Sequence, residues 1–301
     1  GGDFGANLNG PRIGGGIDAD VNIGKPTGVG VYFVTIFTIF SIIFTSHSNL
    51  GVIIILAILY IEMITGYLDD ISEKPWGEYI KGALDILVSV IAAIVIAHFF
   101  GTQAIISLTG FNISFNFIIY VILAVMLLLV SINATNATDG VDGLSATLSI
   151  LSIITMIIAS KILGTLSSDG IILGIFFIAS LLVYLLFNHY PSKMLMGDAG
   201  SRSIGFFIAF YAMYLKIPFA YLIIGLPFLL DGGISILKIT IGRLSDKILH
   251  KKILILKNIR TPLHDHLKKE MKFSPLKTMI IISSVGLVID ILYIIILLLL
   301  A

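Results

Sequence analysis

Nine apolar runs recur along the chain, near 30–46, 50–68, 79–100, 114–132, 143–161, 169–187, 203–216, 218–241 and 276–300. Most of them can cross a hydrocarbon layer roughly 30 Å thick, which takes about 20 residues. The pattern predicts an all-α polytopic membrane protein, a bundle of about nine transmembrane helices. Composition agrees: 57% of the 301 residues are hydrophobic and only 12% are charged, against about 25% charged in average globular domains. Because lipid serves as the outer solvent, this length does not call for two domains, and 30–301 reads as one transmembrane domain. A net charge of +1 gives no reason to expect nucleic acid, and the absence of cysteine excludes disulfides, thiolate metal sites and a Cys nucleophile.

The remaining segments are polar. Residues 1–29 are Gly-rich, with Pro11, Pro26 and three Asp, and read as a loop. The chain starts Gly1-Gly2 rather than Met, which reads as a trimmed start. Ile105 to Phe115 alternates apolar and polar residues about Thr109-Gly110, which predicts a small β-hairpin near 104–115.

Orientation has an internal test. If residue 29 is cytoplasmic, nine crossings place loops 69–78, 133–142, 188–202 and 242–275 on the same side. Of the 19 Lys and Arg, 17 then fall on the cytoplasmic side or at span ends facing it, and only Lys161 and Lys216 fall outside. This is the bias of the positive-inside rule. Every Asp-rich loop lands on that face as well, although acidic residues play no part in choosing it.

Each cytoplasmic loop carries a polar set. Asp69-Asp70 sits where a helix leaves the membrane. The pair either holds a hard cation or takes a proton beside a phosphate, or it is a solvated helix end that opposes the macrodipole. Asn133-Ala-Thr-Asn136-Ala-Thr-Asp139-Gly-Val-Asp142-Gly-Leu-Ser145 packs two Asn, two Asp and three hydroxyls between two apolar runs. Capping by Asn136 and Thr138 of a helix starting near 140, and turns at Asp139-Gly140 and Asp142-Gly143, account for part of it. They do not account for both carboxylates together with both Asn. In Asn188-His-Tyr-Pro191-Ser-Lys193-Met-Leu-Met-Gly197-Asp198-Ala-Gly200-Ser201-Arg202, Asp198 lies between glycines. That suits a metal ligand beside phosphate oxygens or, equally, a helix N-cap. The basic segment 243–275 holds Pro262-Leu-His264-Asp265-His266. Its charge run fits anionic headgroups. Its imidazoles suit phosphate binding or proton transfer and lack the spacing of a zinc helix. Four carboxylates, a His pair and Gly-flanked turns on one face point to Mg²⁺-assisted phosphoryl transfer between a soluble donor and a lipid acceptor.

These motifs in this order resemble the polyprenyl-phosphate N-acetylhexosamine-1-phosphate transferases. Within that superfamily they are most similar to the bacterial phospho-N-acetylmuramoyl-pentapeptide transferases, over about residues 24–300. The resemblance implies an enzyme of the bacterial cytoplasmic membrane, a homodimer in the lipid bilayer. It would transfer phospho-MurNAc-pentapeptide from UDP-MurNAc-pentapeptide to undecaprenyl phosphate, giving lipid I and UMP with Mg²⁺. By the same resemblance Asp198 is the Mg²⁺ ligand, and Asp69 and Asp70 work at the lipid-phosphate end. His264 contacts substrate near the reacting phosphates, with His266 beside it. Asn133, Asn136, Asp139, Asp142 and Asn188 line the nucleotide and diphosphate pocket, and Lys25 in Gly24-Lys25-Pro26-Thr27-Gly28 joins them. Leu195 lies where the family often places a Phe near uracil. The family usually has ten spans, so the missing one would precede residue 1. Asp265 stands where the family often has the middle of three His, and Arg202 is an unusual cation after the Gly-Ser pair. Two alternatives are a UDP-GlcNAc transferase of the same superfamily and an ion-coupled transporter using Asp85, Asp231 and Asp290. The transporter reading is disfavoured because the carboxylates gather at one face and no repeat is evident.

Overall fold

A computed structural model describes residues 24–300 apart from 47–48, 75, 107, 250–255 and 257–258. Residues 1–23 of the predicted Gly-rich loop lie outside the described residues. The elements are α1 (Gly30–Phe44), α2 (Leu50–Ile71), α3 (Glu78–Phe100), β1 (Gln103–Ile106), β2 (Phe111–Ser114), α4 (Phe117–Thr138), α5 (Leu144–Ile162), α6 (Ser168–Asn188) and α7 (Gly197–Tyr214). A short helical turn at Pro218–Ala220 then leads into α8 (Tyr221–Ile224), α9 (Leu226–Phe228), a π-turn at Leu229–Gly233 and α10 (Ile234–Leu249). Last come α11 (Leu263–Lys269) and α12 (Pro275–Leu300). Among the described residues six helices are long and apolar enough to cross a membrane, and the bent pair Pro218–Ile224 and Leu226–Lys247 makes a seventh. The shorter α1 and α7 complete the predicted nine segments. The chain is an all-α polytopic membrane protein.

The α7 helix is the axis of the bundle. Every residue from Ala199 to Met213 is buried, and a helix apolar on all sides belongs in the interior. It is wrapped chiefly by α1, α2 and α4. The outer helices turn Ile, Leu and Phe outward, such as Ile118, Ile122, Leu186 and Leu298, as expected of surfaces solvated by lipid.

Glycines bring α7 unusually close to its neighbours. A Cβ on Gly30 would lie 2.2 Å from the Gly200 nitrogen, and one on Gly66 would lie 2.5 Å from the Asp198 carbonyl oxygen. Backbone therefore meets backbone where α1 and α2 pass the start of α7. Small residues at helix contacts permit this in a medium where packing, not hydrophobicity, holds helices together.

The hairpin forms as predicted, antiparallel with Gln103 opposite Ser114 and Ile106 opposite Phe111. Gly110 takes positive φ (65°) in its turn. The Ile105 N–H donates to the Lys216 carbonyl at 2.7 Å, which ties the hairpin to the turn after α7.

The polar loops are shorter than the sequence predicts. The segment 133–142 is not a loop throughout, because α4 runs on to Thr138. No Gly or Pro interrupts it before Gly140, and its polar side chains bond along the helix. Asn133 Nδ2 donates to the Leu129 carbonyl at 2.9 Å and Thr138 Oγ1 to the Ala134 carbonyl at 2.9 Å. Asn136 and Thr138 therefore finish α4 instead of capping the next helix. For the same reason 69–71 belong to α2 and 197–202 to α7, and the 242–275 loop is interrupted by the end of α10 and by α11. The break predicted at Asp231-Gly232-Gly233 is present as the π-turn. The sharper bend of 59° lies earlier, between Ile224 and Leu226, where Gly225 and the missing N–H of Pro227 weaken the helix.

Candidate functional site

One end of the bundle gathers the C-termini of α2, α4 and α6 and the N-termini of α3, α5 and α7. Here Asp69 and Asp70 are both nearly buried, at 7% and 6% exposure, and they have separate tasks. Asp70 caps α7: Oδ1 accepts the Asp198 N–H and Oδ2 the Ala199 N–H, each at 3.1 Å. A carboxylate there complements the positive end of the helix dipole. Gly197, at φ 67°, makes room for it, because a Cβ would lie 2.2 Å from Asp70 Oδ2. Asp69 instead faces the mouth. Its Oδ1 accepts the Trp76 N–H at 2.6 Å, and its Oδ2 pairs with Lys81 Nζ at 2.5 Å.

Lys81, in the first turn of α3, also reaches Asp198 Oδ2 at 2.8 Å. One ammonium thus bridges carboxylates from α2 and α7. Asn136, on the last turn of α4, donates to Asp198 Oδ1 at 3.0 Å and to Ser201 Oγ at 2.9 Å. Burial acts to raise the Asp198 carboxyl, but the Lys81 and Arg202 charges and the bonds from Lys81 and Asn136 outweigh it. The pKa is held below its ordinary value. Asp198 lies at the mouth, before the apolar run of α7, and is ionised at neutral pH.

A second wall is built on the turn after α4. Asp142 Oδ2 accepts the Ser192 N–H at 2.9 Å, and Lys25 Nζ donates to Ser192 Oγ at 2.9 Å. This unites Lys25, Asp142 and the 189–196 loop. Leu195 is held through its backbone, its N–H donating to Pro26 and its carbonyl accepting from Val29. Asn188 is buried, and its amide is used on backbone, accepting from Gly143 N–H at 2.9 Å and donating to the Met194 carbonyl at 2.8 Å. It braces the pocket wall. Asp139 follows α4 directly. Asn133 lies deeper, 3.4 Å from Asp85 Oδ2. A 660 Å³ apolar groove between α1 and α6 meets this wall at Pro26 and Met194.

The fourth loop closes over the Gly140 turn. His264 is buried, and Asp231 of the π-turn holds it twice: Oδ1 accepts its backbone N–H at 2.6 Å, and Oδ2 pairs with Nδ1 at 2.8 Å. This fixes the ring with its proton on Nδ1 and leaves Nε2 toward Gly140, where a Cβ would come within 2.3 Å. Lys268 Nζ donates to the Gly140 carbonyl at 3.1 Å. His266 turns away: its Nδ1 is 3.4 Å from the Arg260 N–H. Asp231, unexplained in the sequence, is thus the orienting partner of His264. Asp231→Asn is expected to lower kcat about 10²-fold, in the range seen when such a partner is lost. It should leave the melting temperature nearly unchanged, and steady-state kinetics beside a thermal melt checks both.

Deeper on the same helices, Arg202 Nη2 lies 3.0 Å from Glu62 Oε1 and also pairs with Asp85. All three side chains are buried, which costs several kcal/mol per ion unless the pairing is close. Sequence reasoning flags Asp85 and Arg202 separately and does not find Glu62 or the role of Lys81, which enters only through the charge count. The position of Lys81 one turn before Asp85 on the same helix face is the available signal.

Residues 50–216 match the family model described as glycosyl transferase family 4. Phospho-N-acetylmuramoyl-pentapeptide-transferases from two strains of Treponema pallidum subsp. pallidum, Nichols among them, are each 35% identical over 268 residues, covering 83% of this chain and 72% of theirs. The chain belongs to glycosyl transferase family 4. The Lactobacillus acidophilus transferase of the same name is 33% identical over a shorter stretch, 38% of this chain and 33% of its own. The glycosyl transferase family 4 model covers α2 to α7 and so includes Asp69, Lys81, Asn136, Asp142 and Asp198. Lys25 and the His264 loop lie outside it but within the span predicted from motifs. The protein is a phospho-sugar transferase with a multi-pass membrane fold.

Proposed function

We propose that this transferase moves phospho-MurNAc-pentapeptide from UDP-MurNAc-pentapeptide to undecaprenyl phosphate. The products would be lipid I and UMP, formed at the cytoplasmic face of a bacterial cytoplasmic membrane. The observation that carries the reading is the bridging of Asp69 and Asp198 by Lys81, within one mouth shared with Asn136 and the Asp231-held His264. The muramoyl donor is favoured over UDP-GlcNAc by the names of the Treponema and Lactobacillus relatives and by the Pro262-x-His264-x-His266 loop.

Among the described residues no three His, Cys, Asp or Glu side chains converge as a closed metal site. Mg²⁺ needs none, since it commonly takes one or two carboxylates and completes its shell with water and substrate phosphates. The donor set fits, because a cation, the Lys81 ammonium, already sits between Asp69 and Asp198. Asp198, with Asp69 across from it, would hold Mg²⁺, which when bound neutralises charge on the reacting diphosphate.

The other roles belong to the chain. Lys81 keeps two carboxylates ionised and close, and it offers positive charge to the diphosphate. Asn136 orients Asp198 through Oδ1. Asp70 fixes the start of α7, so that Asp198 is presented by a capped helix. His264 Nε2, aimed across Gly140, can hold a proton at a phosphate oxygen while Asp231 balances the ring. Lys25 and Asp142, joined through Ser192, form the nucleotide wall with Asp139, and Leu195 offers an apolar surface to the base.

The test is a donor swap. Purified protein with Mg²⁺ and undecaprenyl phosphate should release UMP from UDP-MurNAc-pentapeptide. Turnover of UDP-GlcNAc with the muramoyl donor ignored would assign the other branch of the superfamily, and turnover of neither would refute the reading.

A further inference from the structure

The mouth and the deeper cluster are two layers of one design on α2, α3 and α7. The upper layer is Asp69 on α2, Lys81 on α3 and Asp198 on α7. The lower layer is Glu62 on α2, Asp85 on α3 and Arg202 on α7. Each layer has two carboxylates around one cation, but the cation has moved from α3 to α7.

The α3 and α7 helices both run away from the mouth, and on each the two layers are four residues apart (81 and 85, 198 and 202), a rise of about 6 Å. If α7 moved one turn outward along α3, Arg202 would meet Lys81. If it moved one turn inward, Asp198 would meet Asp85. Only the observed register pairs opposite charges in both layers. A buried polar group that fixes register is the best-attested use of such costly interactions. The lower layer is not saturated: Glu62 Oε2, Arg202 Nε and Nη1, and Ser89 Oγ one turn below Asp85 have no hydrogen-bond partner. Its bonds therefore run mainly between helices.

We propose that Arg202, gripped by Glu62 and Asp85, is a positioning residue that holds α7 in the register placing Asp198 on Lys81. It thereby sets the divalent-cation affinity of the mouth. This rests on the proposed metal role of Asp198, and it assigns a task to three buried charges that the transfer chemistry itself does not touch.

The probe is Mn²⁺ alone, titrated by electron paramagnetic resonance into the purified full chain without substrate. Uridine nucleotide binding is measured in parallel. Arg202→Leu strands two buried carboxylates and is a poor test of position. The combined variant Glu62→Gln, Asp85→Asn, Arg202→Leu removes the charges together. Buried ion clusters often tolerate such removal without loss of stability. The combined variant should melt cooperatively and bind uridine nucleotide as the parent does. Its Mn²⁺ dissociation constant should rise about tenfold, the scale of a lost supporting contact. Arg202→Lys, which keeps the charge on α7, should recover most of that affinity.

Parental Mn²⁺ affinity in the combined variant would overturn the proposal, as would joint loss of Mn²⁺ and nucleotide binding or absence of Mn²⁺ binding by the parent. Turnover is not the readout, so failure of the donor swap would refute the proposed function and not this inference.

Discussion

Asp198→Asn is expected to lower kcat about 10³-fold, or about 4 kcal/mol of transition-state stabilisation. The fold should survive the change. The replacement amide has the same shape and keeps an oxygen for Asn136, while Lys81 retains Asp69 as a partner. Asp70 caps α7 through backbone N–H groups, which the substitution does not alter. The variant removes a formal charge at the one carboxylate gripped by both Lys81 and Asn136. Paired measurements of kcat and thermal melting separate the two effects. Activity within tenfold of the parent would mean that charge on the reacting phosphates is met elsewhere.

Lys81→Gln should cost about 10²-fold in kcat at neutral pH, comparable to removal of one preorganised electrostatic contact, and more in acid. The sign follows from the balance at Asp198. Burial pushes its pKa up, and Lys81 leads the opposing interactions that hold it below the ordinary carboxylate value. Without Lys81 the folded pKa rises, so protonation begins at higher pH and the acid limb of the kcat profile moves upward. The parent should hold its activity as pH falls through a range in which the variant is already losing it. A deficit that is constant with pH would show that Lys81 meets substrate without tuning Asp198.

Much of the architecture was legible because lipid imposes a simple rule. A run of about 20 apolar residues must be a helix, and the positions of Lys and Arg then order its ends. The hairpin was legible because alternation about Thr109-Gly110 is local. The polar stretch at 133–142 was misread as a loop because Asn and Thr are weak helix formers in isolation. In the folded chain those side chains bond to the preceding turn and reach across to α7, as Asn136 does with Asp198 and Ser201. The motif residues Asp69, Asp198 and His264 could be named from their local setting. Their partners could not. Asp231 and His264 are far apart in sequence, as are Glu62 and Arg202, and each pair meets only after the helices pack. Lys81 looked like one positive charge among many until α2 and α7 placed a carboxylate on either side of it. Asp290, also flagged in the sequence, is buried on α12, and no role in the site is assigned to it.

The glycine seam bears on how the protein would answer an inhibitor. At Gly30 and Gly66 any side chain would collide with backbone of α7 at 2.2 to 2.5 Å, and at Gly200 a Cβ would lie 2.5 Å from Met196. A compound seated against the start of α7 would thus rest on a surface with few viable replacements. Resistance would have to arise from the side chains across the cleft, around Lys25, Ser192 and Leu195, where a change of size does not press on the central helix.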